Sequence, residues 1–167
     1  MLNSEYFSNK YSVRKIETEN IKQVAELCRE NTLFYKYCPP FATEETILDD
    51  MKALPKGKSK EDKYYVGFFD DDSLIAVMDL IDAYPDKDTA FIGFFMTNTS
   101  IQNHGIGTQI IEELSQYLKN QGYKHIKLGW VKGNYQSESF WHKNHFSETG
   151  VSYNTNGYTV IAAQKDL

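Results

Sequence analysis

The sequence predicts an α+β fold, with helices beside a mixed, mostly antiparallel sheet of about seven strands that contains one central parallel β-α-β crossover. Three observations predict it. Short runs of alternating apolar residues, bounded by turn residues, recur along the chain as they do in strands. Residues 90–96 read AFIGFFM, which is typical of a strand buried on both faces. An amphipathic helix and a further strand follow that run, which is the order of a right-handed crossover.

The first third of the chain predicts one strand and two helices. Alternation over Tyr11–Ile16 predicts the strand, and Thr18 is the expected N-cap of a helix whose apolar positions continue to Cys28. Two prolines within residues 34–41 end that helix. Thr43 is then expected to cap a second short helix with an acidic first turn, which suits the helix dipole.

From residue 63 onward the pattern is mainly β. Residues 64–69 and 74–82 predict a hairpin, and Thr89–Thr97 is the strand expected to be buried. Apolar residues from Ile106 to Leu118 mark one face of a helix that ends at Gly122. The remaining predicted elements are a strand, a short helix and two closing strands, at residues 124–130, 137–144, 147–153 and 158–164.

The composition indicates a single domain over residues 1–167, located in the cytoplasm. Hydrophobic residues make up 41% of the 167 residues and charged residues 25%, which is ordinary for a globular protein. The apolar runs are too short to span a bilayer, and the N-terminal stretch lacks the apolar core of a secretion signal. Cys28 and Cys38 have no metal-binding spacing, so we expect free thiols.

The net charge of −5 argues against nucleic acid as a partner, because no broad basic field is present. An anionic ligand would therefore be bound by local geometry. A homodimer is possible on base rates alone.

The segment between the apolar strand and the amphipathic helix reads QNHGIGT, residues 102–108. Gly105 and Gly107 allow a tight turn and a close approach to a ligand because they have no Cβ. The first N–H groups of the helix have no internal partner and lie at its positive end, so the segment predicts a pyrophosphate site. A helix entered through flexible glycines is the alternative, because a lone G-x-G is a weak signal. The lysine of a P-loop and the third glycine of a dinucleotide fingerprint are both missing.

Gln102, Gly105 and Gly107 match the Q/R-x-x-G-x-G/A signature, and on this basis the sequence resembles the GNAT superfamily of N-acetyltransferases. Further residues stand where that family has an asparagine, an aromatic pair, a lysine and a closing aromatic: Asn134, Phe140, Trp141, Lys143 and Phe146. The resemblance runs from Tyr11 to the C-terminus and is strongest over residues 91–146. It implies a three-layer arrangement with helices on both faces of the sheet, and transfer of acetyl from acetyl-CoA to a primary amine by direct attack.

The resemblance also implies where the cofactor binds. The apolar strand would separate from its parallel neighbour near Phe95 and Met96, and pantetheine would pair with the exposed backbone. The Met96 N–H would then stabilise the oxyanion of the reacting thioester. The implied set is Phe95, Met96, Thr97, Gln102, Asn103, His104, Gly105, Ile106, Gly107, Thr108, Asn134, Phe140, Trp141 and Lys143. For Lys143, a solvated surface lysine is the alternative.

The general acid of the family is missing from its usual position. Many members have a tyrosine there, next to the thioester sulfur, where this chain has Trp141. Indole cannot supply a proton at a useful pKa. We therefore expect either a slower reaction without an acid or a substitution by Tyr135.

The general base is also missing, because the position of the family's glutamate is occupied by Phe91. Asp79, Asp82 and Tyr84 are the nearest candidates for a base that acts through water. A purely structural carboxylate is the alternative for Asp79. Phe91 and Trp141 together motivate a different function, a non-catalytic module that binds or senses coenzyme A.

Two further expectations concern metals and the acceptor. Glu138, His142 and His145 share a helix face, but they lack the H-E-x-x-H order, so no metal site is expected. The acceptor is expected to be an amine on a small molecule or a peptide. The acidic composition mildly favours a cationic amine such as a polyamine or an aminoglycoside.

Overall fold

A seven-stranded sheet forms the centre of the computed structural model, which describes residues 1–155 and 157–167. The strands lie in the order β1-β2-β3-β4-β5-β7-β6, and among the described residues only β4 and β5 pair in parallel. The strands are β1 Ser12–Lys15, β2 Lys63–Asp70, β3 Ser73–Ile81, β4 Thr89–Thr97, β5 His125–Val131, β6 Ser147–Thr155 and β7 Tyr158–Asp166.

Five α-helices cover the two faces of the sheet. They are α1 Ile21–Glu30, α2 Thr32–Tyr37, α3 Glu44–Lys52, α4 Ile106–Asn120 and α5 Tyr135–Lys143. The first three pack on one face around a core that includes Val24 and Ile47, and the last two pack on the other around Leu114 and Trp141. The three-layer α+β prediction is therefore confirmed, including the single crossover from β4 through α4 to β5.

The strand β4 leaves its parallel neighbour shortly after the two strands begin to pair. The pairing with β5 ends at Phe91 and Lys127. On the other side of β4, Leu80 pairs with Ile92 and Asp79 with Phe94, so Gly93 is an extra residue in a β-bulge. A bulge bends its strand and increases the local twist. The predicted separation of these strands is thus present, but it begins four residues before Phe95.

Two local predictions were wrong. Thr18 is not the N-cap of α1, because it already lies inside a 3-10 turn, Thr18–Asn20, for which Glu17 is the capping residue. The strand β4 is also not buried on both faces. Ala90 and Ile92 are buried, but Gly93 is exposed and Phe95 is half-buried, because the second half of the strand borders open space.

Other local predictions are confirmed. Thr43 caps α3, since its side chain accepts a hydrogen bond from the N–H of Thr46. Gly122 follows the end of α4 with a φ of +92°, the left-handed conformation expected of it. Cys28 and Cys38 are both free thiols. In the described part of the chain, no helix combines the length and the apolar character that crossing a membrane requires.

We predict that replacing Leu114 with Ala lowers the free energy of unfolding by about 2 to 5 kcal/mol, as expected for a fully buried leucine that leaves a cavity. Leu114 has no exposed surface and lies on the buried side of α4. Urea denaturation followed by circular dichroism measures the change. The control is Glu112→Ala on the exposed side of the same helix, which should change stability by less than about 0.5 kcal/mol. Equal losses in the two variants would contradict the packing described for α4.

Candidate active site

Residues 102–108, which we call the glycine loop, lead into the N-terminus of α4 and leave its first amides without helical partners. Asn103 and Gly105 both have positive φ, +64° and +78°. The first helical hydrogen bond runs from Gln109 N to Gly105 O at 2.9 Å. The N–H groups of residues 106–108 therefore precede the first bonded turn and lie at the positive end of the helix dipole. This is the anion-binding geometry that the sequence predicts.

Gly107 has a second role, which is to let α5 pack against the start of α4. A Cβ at this position would lie 3.1 Å from Cε2 of Phe140, closer than most real contacts. Asn144, at the end of α5, is buried and donates to Phe140 O at 2.8 Å. The same amide lies 3.4 Å from Oγ1 of Thr108. The missing side chain at Gly107 thus brings an aromatic ring beside the glycine loop.

A cavity of about 430 Å³ opens beside this loop, and we call it the loop cavity. Twelve of the fourteen predicted cofactor residues line it: Phe95, Met96, Thr97, Gln102, Asn103, Gly105, Ile106, Gly107, Thr108, Phe140, Trp141 and Lys143. Lys143 is the one charged residue among those that line it. His104 is exposed but does not border the cavity. Asn31 and Phe34 do border it, although no sequence motif pointed to them.

Asn134, the other predicted cofactor residue outside the cavity, has a structural contact instead. It is 1% exposed, and its Oδ1 accepts a hydrogen bond from the N–H of Ser137 at 3.2 Å. This bond caps the N-terminus of α5. The position of Asn134 therefore does not support its place in the set of cofactor residues that the resemblance implies.

Gln102 and Asn31 form a small network at one end of the loop cavity. Gln102 donates through Nε2 to Oδ1 of Asn31 at 2.8 Å and approaches Thr97 O at 3.3 Å. Asn31, which ends α1, donates through Nδ2 to Thr97 O at 3.1 Å. The side chain of the motif glutamine is thus used to join α1, β4 and the glycine loop. Sequence analysis missed Asn31 because a helix-ending asparagine has no distinctive pattern.

The backbone of β4 presents alternate residues to the gap, and Met96 is not among them. Asn98 N donates to Ile75 O at 2.8 Å, so the polar groups of Asn98 face β3. Along a strand, every second residue points its N–H and C=O the same way, so those of Met96 also face β3. The groups of Phe95 and Thr97 then face the gap, which agrees with the side-chain amides bonded to Thr97 O. The direction of the Met96 N–H therefore does not support the prediction that it stabilises an oxyanion.

A second cavity, of about 590 Å³, lies where β4 and β5 have separated, and we call it the strand-gap cavity. It shares Phe34, Phe95, Ser137 and Trp141 with the loop cavity. The two cavities therefore meet beside the indole ring of Trp141, which stands 6.0 Å from the ring of Phe95.

Of the residues proposed as acid or base, only Tyr84 lines the strand-gap cavity. Its ring packs edge-on against Phe91, with centroids 5.6 Å apart. Tyr135 is 74% exposed and lines neither cavity, so its position does not support the proposal that it replaces the missing acid. Tyr153 and Tyr158 also line the strand-gap cavity and were not singled out by the sequence.

Asp79 does not line the strand-gap cavity, and it forms an ion pair with a lysine. Lys63 Nζ stands 2.7 Å from Oδ2 of Asp79, and both side chains are largely buried. Oδ1 of Asp79 has no hydrogen-bond partner among the described residues. Burial raises the pKa of Asp79, and the bond with Lys63 acts against this. A Cβ at Gly93, which lines the strand-gap cavity, would lie 3.2 Å from Oδ2 of Asp79. The structural alternative for Asp79 fits this position better than a base does.

Cys38 and Tyr158 form a contact on the wall of the strand-gap cavity. The sulfur and the phenolic oxygen are 3.5 Å apart. This hydrogen bond, together with burial, raises the pKa of Tyr158 to about 12. Tyr158 therefore keeps its proton at neutral pH and is not a base.

The residues weighed as metal ligands are not brought together as a set. Glu138 and His142 are close, with 3.9 Å between Oε1 and Nε2, and the third nearby group is Glu148 rather than His145. None of them lines either cavity. His145 instead follows α5 with a φ of +67°, a left-handed conformation that favours glycine.

The comparisons with known proteins agree with this geometry. The model of the acetyltransferase (GNAT) family matches residues 21–146, which is most of the chain. The fold and the two joined cavities define an acyltransferase, and the chain belongs to the GNAT family. It is an acetyl-CoA-dependent acetyltransferase, and the comparisons support transfer to an amine rather than the alternative of a non-catalytic module. No relative is detected among curated proteins.

Solved structures share the fold at low sequence identity. An acetyltransferase from Thermus thermophilus superposes with a TM-score of 0.76 and 14% identity, covering 95% of this chain and 97% of the other. A Salmonella typhimurium acetyltransferase that modifies the N-terminal serine of ribosomal protein L7/L12 gives 0.75 and 16%, covering 96% and 97%. The PaiA N-acetyltransferase of Thermoplasma acidophilum, solved in complex with coenzyme A, gives 0.64 and 21%, covering 94% and 99%. At these identities the likeness establishes the fold alone.

We predict that Gly105→Ala weakens acetyl-CoA binding about fivefold to thirtyfold, because an alanine resists the positive φ that directs the loop amides into the cavity, at a cost of about 1 to 2 kcal/mol. Isothermal titration calorimetry measures the affinity. Gly57→Ala is a matched control, since Gly57 has a φ of +85° and, like Gly105, no atom within 4 Å of an added Cβ. Both variants should lose similar stability, but only the first should lose affinity. Unchanged affinity in Gly105→Ala would argue against the glycine loop as the phosphate site.

Proposed function

We propose that the loop cavity holds acetyl-CoA and that the strand-gap cavity holds the acceptor amine. The observation that carries this proposal is the junction of the two cavities at Phe95 and Trp141. A cofactor whose diphosphate lies at the N-terminus of α4 can extend its pantetheine arm along β4, and its thioester then lies at the junction. The amine approaches the acyl carbon from the opposite side of the gap.

The thioester carbonyl would be positioned by the free backbone of β4. Pantetheine can pair with Phe95 and with the N–H of Thr97 as a further strand would, because these groups face the gap. Thr97 O, in contrast, is already bonded to the side chains of Asn31 and Gln102. The Phe95 N–H is then the candidate donor to the oxyanion that forms when the amine attacks. It takes the role that the sequence analysis gave to Met96.

The energetic demand of the reaction falls mainly on the amine. An amine with the pKa of lysine, near 10.4, costs about 4 to 5 kcal/mol to hold neutral at pH 7, whereas expelling a thiolate with a pKa near 8.5 costs about 2 kcal/mol. Trp141 supplies no proton to the sulfur, so the thiol leaves as a thiolate and is protonated by solvent. The absence of a tyrosine acid therefore slows the reaction without preventing it.

Deprotonation of the amine is proposed to occur without a carboxylate base. None of the described residues that line either cavity is an aspartate or a glutamate. The proton passes to water, and Tyr84 is the candidate to hold that water because its side chain borders the cavity. The fraction of acceptor that is neutral is then set mainly by the pKa of the acceptor amine itself.

Three broader proposals rest on the sequence. Residues 1–167 are proposed to form one domain. This proposal is supported by the sheet, which includes strands from both ends of the chain. A cytoplasmic location is proposed, and the two free thiols are consistent with a reducing compartment. We also propose a possible homodimer and, at a net charge of −5, no nucleic acid as a partner.

The proposed function is tested by incubating the protein with acetyl-CoA and a panel of amines, measuring thiol release and confirming the acetylated amine by mass spectrometry. We expect release above background with at least one amine, and none in its absence beyond slow hydrolysis. If the protein binds acetyl-CoA by calorimetry but acetylates no amine, peptides and amino acids included, the proposal of turnover is wrong.

We predict that kcat/KM rises tenfold per pH unit and levels off at the pKa of the acceptor amine, because no carboxylate base is available in the cavity. Two acceptors with amine pKa values near about 8 and about 10 should therefore give two different inflections. The pH dependence of thiol release measures this. A shared inflection for both acceptors, well below the pKa of either, would instead reveal an ionising base on the enzyme.

A further inference from the structure

The strand-gap cavity is lined by one formally charged side chain, and that side chain is a cation. The chain carries 23 acidic residues and a net charge of −5. Even so, Lys127 is the single residue with a formal charge among the described residues that line this cavity. The electrostatics around an acceptor are therefore opposite in sign to those of the protein as a whole.

Lys127 stands at the point where β4 and β5 separate. It forms the last parallel pair, with Phe91, and it pairs with Gln164 of β7 on the other side. Its neighbours Ile126 and Leu128 point into the core beneath α4, so the side chain of Lys127 points to the opposite face of the sheet. Strand geometry thus fixes the direction of this lysine.

The ammonium of Lys127 has no acidic partner within the described ranges. Lys124, the residue before the same strand, lies 2.8 Å from Asp88, whereas no ion pair within 4.0 Å among the described residues includes Lys127. Lys127 is nevertheless half-buried. A half-buried cation without a partner favours an anion brought by a ligand, since a charge-assisted hydrogen bond then replaces lost hydration.

The rest of the cavity lining is mostly apolar or aromatic. Phe91 and Val160 form part of the wall, and Tyr153 reaches the cavity from the β6–β7 hairpin. Tyr153 is 60% exposed, so part of an aromatic surface is open to an arriving molecule. A volume of about 590 Å³ is within the range of small-molecule sites. These features fit an acceptor with an apolar or aromatic body.

We propose that the preferred acceptors are amines that also carry a carboxylate and an apolar or aromatic body, as apolar α-amino acids do, and that Lys127 binds the carboxylate. This inference rests on the proposed function. The amine nitrogen bonds to the acyl carbon, the C–S bond breaks, the nitrogen loses one proton to water, the thiolate takes a proton from solvent, and the carboxylate is unchanged. The cation also disfavours a second positive charge nearby, so it favours the neutral amine and opposes polyamines and aminoglycosides.

The test compares matched acceptors that differ in the carboxylate: phenylalanine with phenethylamine, tyrosine with tyramine, and leucine with isopentylamine. Thiol release gives kcat/KM, expressed per neutral amine so that differences in amine pKa are removed. The wild-type protein should favour the carboxylate-bearing member by about tenfold to a hundredfold. Lys127→Met should remove that preference and leave the simple amines within about twofold, because methionine keeps an unbranched stem without the charge.

The control variant is Lys132→Met, since Lys132 is exposed just beyond β5 and lines neither cavity. It should keep the wild-type preference. Both variants should also keep the wild-type affinity for acetyl-CoA and the wild-type melting temperature, which separates a change of specificity from a loss of folding.

Two failures are distinguishable. If the protein binds acetyl-CoA but acetylates no amine, the proposed function fails. If it acetylates simple amines or spermidine as well as the amino acids, or if Lys127→Met retains the wild-type preference, the proposed function stands and the assignment of Lys127 is overturned.

Discussion

The separation of β4 from β5 is the constraint on which the rest of the site depends. In a sheet, neighbouring strands normally pair their backbone N–H and C=O groups along their whole length. Here the pairing of β4 with β5 ends at Phe91 and Lys127 because β4 bends at the bulge around Gly93. The bend leaves the polar groups of Phe95 and the N–H of Thr97 without a neighbouring strand, while Thr97 O is bonded to Asn31 and Gln102. Backbone groups left in this way require partners, so the fold itself provides a binding edge for an extended ligand.

The glycine loop and the gap act together because they lie at the same end of β4. The strand ends at Thr97, and the chain reaches the N-terminus of α4 at Ile106. The network of Asn31, Gln102 and Thr97 fixes the loop to the strand and to α1. As a result, one ligand can place its phosphates on α4 and its arm along β4. The positive end of α4 and Lys143 give the loop cavity a local positive charge, and Lys127 does the same for the strand-gap cavity. The net negative charge of the protein does not reveal this.

Much of the fold and of the cofactor site was predictable from the sequence because both depend on local patterns. The spacing of Gly105 and Gly107 after an apolar strand is visible in the sequence, and so is the periodicity of α4. Which backbone groups of β4 face the gap was not predictable, since it depends on which residues of β4 face β3. The bulge at Gly93 and the register of Met96 determine that, and neither leaves a local signature. Similarly, Asp79 and Tyr135 were plausible by position, but burial against Lys63 and exposure to solvent exclude them from the cavities.

The loss of the family's acid and base is consistent with the charge of the acceptor cavity. Because Trp141 cannot protonate the leaving sulfur, the thiol leaves as a thiolate, which costs about 2 kcal/mol at pH 7. This cost is moderate. The larger cost, that of a neutral amine, depends on the acceptor. A peptide α-amino group, with a pKa near 8, requires only about 1 kcal/mol to be neutral at pH 7, against about 4 to 5 kcal/mol for a lysine-like amine. In a free amino acid the neighbouring carboxylate raises the amine pKa and adds to this cost, and pairing of that carboxylate with Lys127 would offset the increase. The cation that lines the cavity would therefore help the bound amine to lose its proton where the enzyme has no carboxylate base.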